Sequence, residues 1–547
     1  MCNGGWQVWA PPPVRTGEPV KLILLLALVP LAAAAQSPTA STRPLRHPTT
    51  AEDLQLFSQV LNQIRVNHPD SVDTHDLFMA AIEGMVHAAD PHSYLLAVTR
   101  LSPAKDSAWR SGRLYPVPID FSFYGGSPVV NSVAPGSAAA RLDIDPGDEL
   151  IAVDSQPVPW ENSEELVIGL AGPRGSTVAL TFERRRLDGS LAHLVRVVTR
   201  ERVEESTAVP AAFMLDKDIG YIRVTTFANS KAGDDLHAAL GRLEGRGMKR
   251  LVLDLRDNGG GSVAEATRVA SEFLPRGALV YTTEYRKKPE GAPDTVRVGR
   301  SFWSHEKRYP LVLLINSGTA SASELVAGAL QDNDRAVIVG HPSFGKSLLM
   351  FGQPLTDGST LWLVVGHVRT PCGRVIQRQY HNITRRDYYR LARAERDTAG
   401  RPSCRTLSGR TVYGGGGIFP DVSLPEVDPP PLWLARVGED DLPFKWVGGY
   451  LTATGASLSS LDTLALRRSL PADATEAFRK FAASDGIEIP ADGEMRLQRT
   501  LVRVVAYAKW GEEGYYRLEA ETDPEVQAAT REFDRAATIL TTLKEPH

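Results

Sequence analysis

The first stretch that could carry chemistry is Gly340–Ser347, which reads GHPSFGKS and matches the phosphate-loop pattern G-x-x-x-x-G-K-[ST]. That pattern binds phosphate only where a strand enters it and a helix leaves it, because backbone N–H groups then surround the anion. A buried strand is predicted over 335–339, but Gly352 and Pro354 follow before a stable helix could form. Pro342 also removes one N–H donor. The sequence therefore argues against a nucleotide site, and the lysine needs another role.

A second candidate group is the run of small residues Asn316–Glu324, which reads NSGTASASE. Ser321 and Glu324 have the spacing of a capping box that opens a helix over 325–330. Capping alone does not need a run of Ala and Ser, whereas small side chains let another chain lie close. A hydroxyl at a helix N-terminus also lies in a field that stabilises developing negative charge. Ser321 is therefore a candidate nucleophile.

This nucleophile needs a base, and the sequence contains no G-x-S-x-G elbow and no histidine beside the serine. A lysine can act as the base if burial lowers its pKa. Lys346 is suited to this, because Phe344 precedes it and the apolar run Leu348–Phe351 follows. An oxyanion hole needs backbone donors at a strand end, and Gly259–Gly261 follow a predicted strand over 250–255. A plain turn is the alternative role for these glycines.

The elements that must position these residues alternate between strand and helix over residues 219–422, which predicts an α/β layer structure. Residues 51–105 instead show helical periodicity, and a largely helical tail follows Pro425. The predicted strands of the α/β region are 221–224, 250–255 and 311–315, its predicted helices are 234–243, 263–273 and 321–330, and the tail has predicted helices over 496–509 and 525–540.

Composition excludes some classes of function. The chain has 547 residues and a formal net charge of −4, and no run of Lys and Arg is interleaved with aromatic residues. Nucleic-acid binding therefore has no electrostatic support. The length is too great for one core and suggests several domains. We expect no metal and no cofactor.

The N-terminus predicts export. Arg15 and Lys21 precede the apolar run Leu22–Leu31, and the small residues Ala32–Ala35 follow it. This is typical of a cleaved secretory signal peptide ending near Ala35, because the run is about half the length that spans a bilayer. A membrane anchor is the weaker alternative. We therefore expect a periplasmic or extracellular protein.

Signal-peptide removal would leave two cysteines, Cys372 and Cys404. In an exported chain a lone pair of cysteines predicts a disulfide, and two free buried thiols are the alternative. The cysteines bracket an insertion over 378–405 that is dense in Arg and Tyr, for which a solvated loop is the default expectation.

Short β-branched runs over 128–133, 148–153 and 177–182 form a distinct region, and the segment Val133–Val158 resembles a PDZ domain. Such a domain binds a peptide C-terminus as an added strand and holds its carboxylate in a nest of N–H groups. Where many PDZ domains have a Gly-Φ-Gly-Φ loop, this chain has Val117–Asp120, with a proline and an acidic charge. Tail binding and a structural or gating role both stay open.

Over residues 51–425 the chain resembles the carboxyl-terminal processing proteases, also called tail-specific proteases. The resemblance implies Ser321 as nucleophile and Lys346 as general base. It also implies an oxyanion hole from the backbone N–H groups of Ala322 and of Gly260 or Gly261. The motifs that carry it are Asp90–Ser93, Gly220–Ile222, Leu253–Gly261, Thr319–Glu324, Gln331–Asp332, Gly340–Lys346 and Gly417–Val422.

The family also often has an aspartate where this chain has Asp332, which we therefore predict as a supporting residue. One departure concerns the glutamine that the family usually places four residues after the lysine, where this chain has Met350. Methionine cannot orient an amine well by hydrogen bonding. Gln353 and Ser347 are candidate substitutes.

The resemblance implies a multidomain α/β protein with a crotonase-like protease core. We predict an exported serine endopeptidase that cleaves unfolded or tagged polypeptides near their C-terminus, with no nucleic-acid or nucleotide partner and a possible homo-oligomeric state. A catalytically weakened peptide-binding adaptor is the alternative. The predicted regions are a signal peptide (1–35), a linker (36–50), an N-terminal helical module (51–104), a PDZ domain (105–203), a protease core (204–425) and a helical C-terminal extension (426–547).

Overall fold

The computed structural model describes residues 49–542 except 97–101, 125–126, 135, 161, 187–189, 204–206, 300–306, 382, 427–428, 440, 455–457 and 459. The predicted signal peptide and most of the predicted linker lie outside the described residues. The chain divides at residue 85 into two units, each treated by itself below.

The first unit is helical, as the periodicity predicts. Helix α1 (Thr50–Asn67) is capped by Thr49, whose N–H donates to Glu52 Oε2 at 2.7 Å. Helix α2 (Thr74–Ala89) starts in this unit and ends in the next. The rings of Phe57 and Phe78 lie 5.7 Å apart between their centroids, so the two helices contact each other through aromatic side chains.

The second unit contains all the remaining described elements. Its strands are β1 (Tyr94–Leu96), β2 (Ile119–Tyr124), β3 (Ser127–Val133), β4 (Glu149–Val153), β5 (Gln156–Pro157), β6 (Thr177–Arg185), β7 (Leu191–Thr199), β8 (Ala211–Met214), β9 (Ile219–Arg223), β10 (Arg250–Asp254), β11 (Leu279–Tyr285), β12 (Thr295–Arg297), β13 (Leu311–Ile315), β14 (Val337–Gly340), β15 (Leu348–Pro354), β16 (Thr360–Arg369), β17 (Ser403–Arg405), β18 (Thr411–Tyr413) and β19 (Val422–Ser423). Its helices are α3 (Pro103–Arg110), α4 (Ser163–Leu170), α5 (Ala232–Gly245), α6 (Val263–Ser271), α7 (Ala322–Asp332), α8 (Arg385–Ala394), α9 (Leu432–Glu439), α10 (Leu442–Thr454), α11 (Leu461–Arg467), α12 (Ala472–Ser484), α13 (Glu494–Thr522), α14 (Pro524–Thr530) and α15 (Phe533–Thr542).

The central sheet has the order β19-β14-β13-β10-β9-β8, and every neighbouring pair is parallel except β8 with β9. Strand β13 reads LVLLI and is buried throughout, as expected for a parallel strand that is covered on both faces. Helices α5 to α7 cover one face through Leu236, Val269 and Val326, which share a core with Leu253. The predicted α/β layering is confirmed.

The other face of the central sheet is covered by the end of the chain. Val526, Ala529 and Phe533 of the tail pack against Val312 and the alternate side chains of its neighbours. The predicted helix over 525–540 is interrupted, because α14 ends at Thr530 and α15 starts at Phe533. The C-terminal extension therefore supplies the third layer of an α/β/α sandwich.

A second sheet has the order β1-β16-β11-β12, with β15 also paired to β16. Tyr94–Leu96 pairs antiparallel with Thr360–Trp362, although the sequence analysis placed these residues in the N-terminal helical module. This pairing brings the Asp90–Ser93 segment to the sheet that follows Lys346.

The β-rich region forms a sheet in the order β2-β3-β4-β6-β7, with β5 on β4 and α4 beside β2. Its core includes Leu150, Leu180 and Phe182, which are fully buried. The extension docks on this region. The Arg185 guanidinium lies 2.7 Å from Asp485.

The insertion differs from the expected solvated loop, because it contains helix α8 and strand β17. Thr384 caps α8, and its hydroxyl accepts the N–H of Asp387 at 3.1 Å. The side chains of Tyr388 and Ala392 are fully buried on one face. A disulfide joins Cys372 and Cys404, which confirms the predicted pairing. Among the described helices, none has the length and apolar character needed to cross a bilayer.

Candidate active site

Ser321 lies between the end of β13 and the first residue of α7. Its φ of +58° and ψ of −117° are unusual for a residue with a side chain and indicate local strain. The surrounding loop is fixed to the glycine turn after β10. The Thr319 hydroxyl donates to Leu255 O at 2.9 Å, and the Ala320 N–H donates to Asn258 O at 3.0 Å. The small residues of this run therefore allow the close approach that the sequence predicts.

The glycine turn packs directly against the serine. Gly260 has φ +99°, and a Cβ there would lie 2.8 Å from Ala322 N and 2.9 Å from Ser321 Cβ. The Gly260 N–H already donates to Asn258 Oδ1 at 2.9 Å. Among the described residues, the N–H groups of Gly261 and Ala322 donate to no acceptor. Of the two glycines named in the sequence analysis, Gly261 is thus the one with an available donor.

Lys346 lies on the loop between β14 and β15, and a strand, not a helix, follows it. This geometry is incompatible with a phosphate loop. Ser321 and Lys346 line the same small cavity, of about 30 Å³. Its other walls are mostly apolar and include Val280, Leu325, Leu348, Val368 and Ile376.

Burial lowers the pKa of the Lys346 amine, while the charges of Glu324 and Asp90 oppose that shift. Within the described part of the chain, this amine makes no hydrogen bond and no ion pair shorter than 4 Å. A lysine in such a setting is a suitable general base, because more of it is neutral near physiological pH.

Glu324 connects the two loops. The carboxylate is fully buried and accepts hydrogen bonds from the N–H groups of Ser321 at 2.8 Å, Lys346 at 2.8 Å and Gly345 at 2.6 Å. The Ser343 hydroxyl donates a fourth, at 2.5 Å. Burial raises the pKa of Glu324, and these four hydrogen bonds oppose the shift. Glu324, which the sequence analysis treated only as a capping residue, therefore positions both reactive loops.

Asp90 supports the lysine from the second sheet. It is buried, and its Oδ1 accepts the N–H groups of His92 at 2.8 Å and Ser93 at 2.7 Å. The Ser93 hydroxyl donates to Asp90 Oδ2 at 2.6 Å and accepts the Val364 N–H at 3.0 Å. The segment that was a weak motif in the sequence thus places a fixed carboxylate near the Lys346 amine.

The insertion contributes a residue that the sequence analysis missed. The Tyr388 hydroxyl lies 2.9 Å from His92 Nε2 and 3.1 Å from Gln377 Nε2. Gln377 Oε1 in turn accepts the Ser347 N–H at 2.8 Å, next to the lysine. The Tyr388 ring contacts the Phe344 ring edge-on at 5.8 Å. Its signal in the sequence is the spacing of Tyr388 and Ala392, two uncharged residues one helical turn apart in an arginine-rich segment. The structure shows both of them buried.

The predicted supporting residues do not lie at this site. Asp332 is at the opposite end of α7 from Ser321, about 16 Å away at 1.5 Å per residue, where it pairs with Arg374. Gln353 is exposed near the far end of β15, because an extended strand carries it away from the lysine.

The other two residues discussed after the lysine are Ser347, which lines the cavity, and Met350, which does not. The Ser347 hydroxyl donates to Val368 O at 2.5 Å. Met350 follows a β-bulge after Leu349 and is not among the described residues that line the cavity. None of these side chains takes the place of the glutamine that the resemblance implies.

The loop Val117–Asp120 at the start of β2 contains the proline and the acidic residue that distinguish it from the loop of many PDZ domains. Pro118 O accepts the Ala134 N–H at 2.9 Å, and Asp120 Oδ2 accepts from Asn131 Nδ2 at 3.1 Å. Glu512 of α13 interacts electrostatically with Asp120. The acidic charge of Asp120 is therefore kept at the loop that the sequence analysis compared with the Gly-Φ-Gly-Φ loop of PDZ domains.

Comparison with known proteins gives two matches within the chain. Residues 218–385 match peptidase family S41, and residues 129–184 match the PDZ domain. The chain is 30% identical over 362 residues to a carboxy-terminal-processing protease of Bartonella bacilliformis, covering 65% of this chain and 80% of that protein. It is 36% identical over 249 residues to carboxyl-terminal-processing peptidase 2, chloroplastic, of Arabidopsis thaliana, covering 44% and 46%. It is 27% identical over 324 residues to carboxy-terminal processing protease CtpA of Bacillus subtilis, covering 59% and 66%.

Proposed function

Since the chain belongs to the carboxy-terminal-processing proteases of peptidase family S41, whose members are serine-type peptidases, we propose that Ser321 and Lys346 are its catalytic dyad. The observation that carries this proposal is the shared cavity, in which the serine and a desolvated lysine meet among apolar walls. Glu324 supports it further, because one carboxylate holds the backbone of both residues.

The proposed reaction is acyl transfer. The neutral Lys346 amine takes the proton from Ser321 Oγ as that oxygen attacks the scissile carbonyl carbon. The N–H groups of Ala322 and Gly261 donate to the oxyanion that forms. The Lys346 ammonium then gives its proton to the leaving amine, and an acyl-enzyme remains on Ser321. Water activated by the same amine hydrolyses this ester and restores both residues.

The proposed substrate is an unfolded or tagged polypeptide that is cleaved near its C-terminus. The names of the relatives support the carboxy-terminal site of cleavage, and the PDZ match supports binding of polypeptides. Export is supported by the predicted signal peptide and by the disulfide, which persists in oxidising compartments. Periplasmic or extracellular location is part of this proposal.

A peptide-binding adaptor with weak catalysis is the second candidate. Met350 favours it, because it replaces the glutamine implied by the family resemblance and is not among the described residues that line the cavity around Lys346. An active peptidase and an adaptor would both bind peptides, but only the peptidase would cleave them at an appreciable rate.

The test is cleavage of an unfolded model protein by the purified mature chain between about pH 6 and 10, beside Ser321→Ala and Lys346→Ala. Ser271→Ala is the control, since this serine ends helix α6 and lines neither the cavity nor the neighbouring cleft. We expect the mature chain and the control to cleave, with a rate that rises with pH, and both dyad variants to fail. A mature chain that binds the protein but is as inert as the dyad variants would establish the adaptor.

A further inference from the structure

The insertion carries a charge that the proposed mechanism does not use. Between Cys372 and Cys404 the chain has eight arginines, no lysine and three acidic residues, although the whole chain has a net charge of −4. The disulfide closes this segment into a loop on the core. Such a concentration of guanidinium groups in an otherwise acidic protein calls for a structural or a ligand-binding reason.

Three of these arginines, Arg374, Arg378 and Arg401, hold the insertion in place. Arg374 pairs with Asp332, Arg378 donates to Gly416 O at 2.7 Å, and Arg401 pairs with Glu395. These interactions give the three arginines a structural role in the insertion, so they need no ligand to explain their presence.

Four others line a single cleft of about 880 Å³, which is the size of a ligand site. Helix α8 presents Arg386, Tyr389, Arg390 and Arg393 at spacings of three and four residues, so these side chains share one face. Like charges at such spacings destabilise an isolated helix. An anion in the cleft would convert that repulsion into attraction.

The opposite wall of the cleft is the carboxyl edge of the central sheet. Asn316 and Ser317 follow β13, and His341 follows β14. Open α/β sheets bind ligands at this edge. The two acidic residues of the cleft are already paired, because Glu525 lies 2.7 Å from Arg256 and Glu426 lies 3.4 Å from Arg396. Arg390 also lies 3.2 Å from Asp387 on the same helix, so two of the four cleft arginines have a carboxylate partner. Four guanidinium groups against these two carboxylates still leave the cleft with an excess of positive charge.

The cleft adjoins the catalytic loops. The Tyr389 ring lies 5.6 Å from the ring of Phe344, which is two residues before Lys346. Ser317 is four residues before Ser321 on the same loop. An extended polypeptide has a rise of about 3.3 Å per residue, so a few residues suffice to join neighbouring sites.

We propose that the cleft formed by Arg386, Arg390, Arg393 and Arg396, the arginine cleft, binds carboxylates of the polypeptide substrate and selects substrates with an acidic segment beside the cleaved bond. Guanidinium groups suit this ligand, because their planar fork binds a carboxylate through two hydrogen bonds. The selection of substrates rests on the proposed peptidase function, whereas the binding of acidic peptides does not.

The first experiment measures binding alone, by fluorescence anisotropy of labelled peptides with the full mature chain carrying Ser321→Ala. One peptide has an acidic segment and an amidated C-terminus, a second has Gln and Asn in the acidic positions and an amidated C-terminus, and a third is the neutral peptide with a free C-terminal carboxylate. These arms separate side-chain carboxylates from the terminal carboxylate as the source of binding.

The test variant combines Arg386→Gln, Arg390→Gln and Arg393→Gln. Exposed ion pairs each contribute modestly, so three together should weaken binding of the acidic peptide roughly tenfold and reduce its salt dependence. Binding of the neutral amidated peptide should not change. Equal losses for both amidated peptides, or no loss for either, would overturn the proposal. Loss confined to the neutral peptide with a free carboxylate would overturn the assignment to side-chain carboxylates.

The control removes the same charge elsewhere, with Arg242→Gln, Arg467→Gln and Arg496→Gln on exposed helix positions. This control should bind all three peptides as the parent does. If it loses the acidic peptide equally, net charge and not the cleft is responsible.

A charge-reversal variant distinguishes loss of the arginine charges from loss of the fold. Arg386→Glu with Arg390→Glu should bind a lysine-containing peptide better than the parent does, a gain that misfolding cannot produce. Absence of that gain in a folded variant would count against the cleft.

The second experiment compares cleavage of acidic and neutral substrates by the active enzyme. The triple glutamine variant should lose roughly tenfold in kcat/KM on the acidic substrate only. If the parent cleaves nothing, the peptidase proposal fails, and the anisotropy results still decide whether the cleft binds acidic peptides.

Discussion

Glu324→Gln tests whether one buried carboxylate fixes the geometry of the reactive loops. The substitution keeps the size and shape of the side chain but replaces one oxygen by an NH₂ group. Each oxygen of Glu324 accepts two donors, because Oε1 faces Ser343 and Gly345 and Oε2 faces Ser321 and Lys346. An NH₂ group turned toward Ser321 and Lys346 meets two backbone N–H donors, and one turned toward Ser343 and Gly345 meets the Gly345 N–H, because the Ser343 hydroxyl can turn to accept.

The magnitude follows from that count. Hydrogen bonds to charged groups are worth about 1.5–3 kcal/mol each, so the loss of one or two should lower the free energy of unfolding by about 1.5–6 kcal/mol. Full burial of Glu324 prevents water from replacing the lost acceptor. If the loops shift to separate the donors, the dyad is displaced, and a misplacement of about 1 Å costs on the order of 100-fold in rate.

The assay combines urea unfolding with kcat/KM on an unfolded protein substrate. Glu265→Gln is the matched control, because Glu265 occupies the same third position of helix α6 and is also buried. It accepts the Gly233 N–H at 2.9 Å and contacts neither dyad residue. We expect the control to keep its activity even where it loses stability.

Near-parental stability and activity of Glu324→Gln would refute the reasoning, since the four donors would then not depend on the carboxylate. A loss of stability with full activity would show that Glu324 supports the fold without positioning the dyad.

Two further substitutions probe the surroundings of the lysine. Asp90→Asn should move the rising limb of the pH–rate profile to lower pH, because the charge of Asp90 raises the pKa of Lys346 and its removal lets burial lower that pKa further; a limb displaced to higher pH would contradict this. Tyr388→Phe should lower kcat more than it changes KM and should cost about 1–3 kcal/mol in urea unfolding, because its hydroxyl contacts His92 and Gln377 inside the protein; an unchanged kcat would exclude Tyr388 from positioning the base.

The sequence was sufficient for the core of the fold because its signals there are local. A parallel strand that is buried on both faces appears as an unbroken apolar run, and Leu311–Ile315 is such a run in the structure. Ser321, Lys346 and the glycine turn follow such strands and are brought together by the register of the sheet. The sequence analysis grouped them through the family resemblance, together with the small residues beside Ser321 and the apolar residues beside Lys346.

The failures concern contacts whose partners are distant along the chain. Tyr388 and His92 are 296 residues apart, and no periodicity connects them. Asp332 was assigned from the family resemblance, and Gln353 as a candidate substitute for the glutamine that the family usually has. A helix and an extended strand nevertheless carry them away from the dyad, because both elements move the chain steadily in one direction.

The C-terminal extension shows why a region without any motif can still belong to a site. Asp254, at the end of β10 beneath the glycine turn, is fully buried between Arg223 at 2.9 Å and Arg256 at 2.6 Å. Arg256 also lies 2.6 Å from Asp523 and 2.7 Å from Glu525, both contributed by the extension. Two buried guanidinium groups around one carboxylate would be left with uncompensated charge without these partners, and an unpaired buried charge is strongly destabilising. The extension thus stabilises, through one ion-pair network, the strand end from which the glycine turn projects.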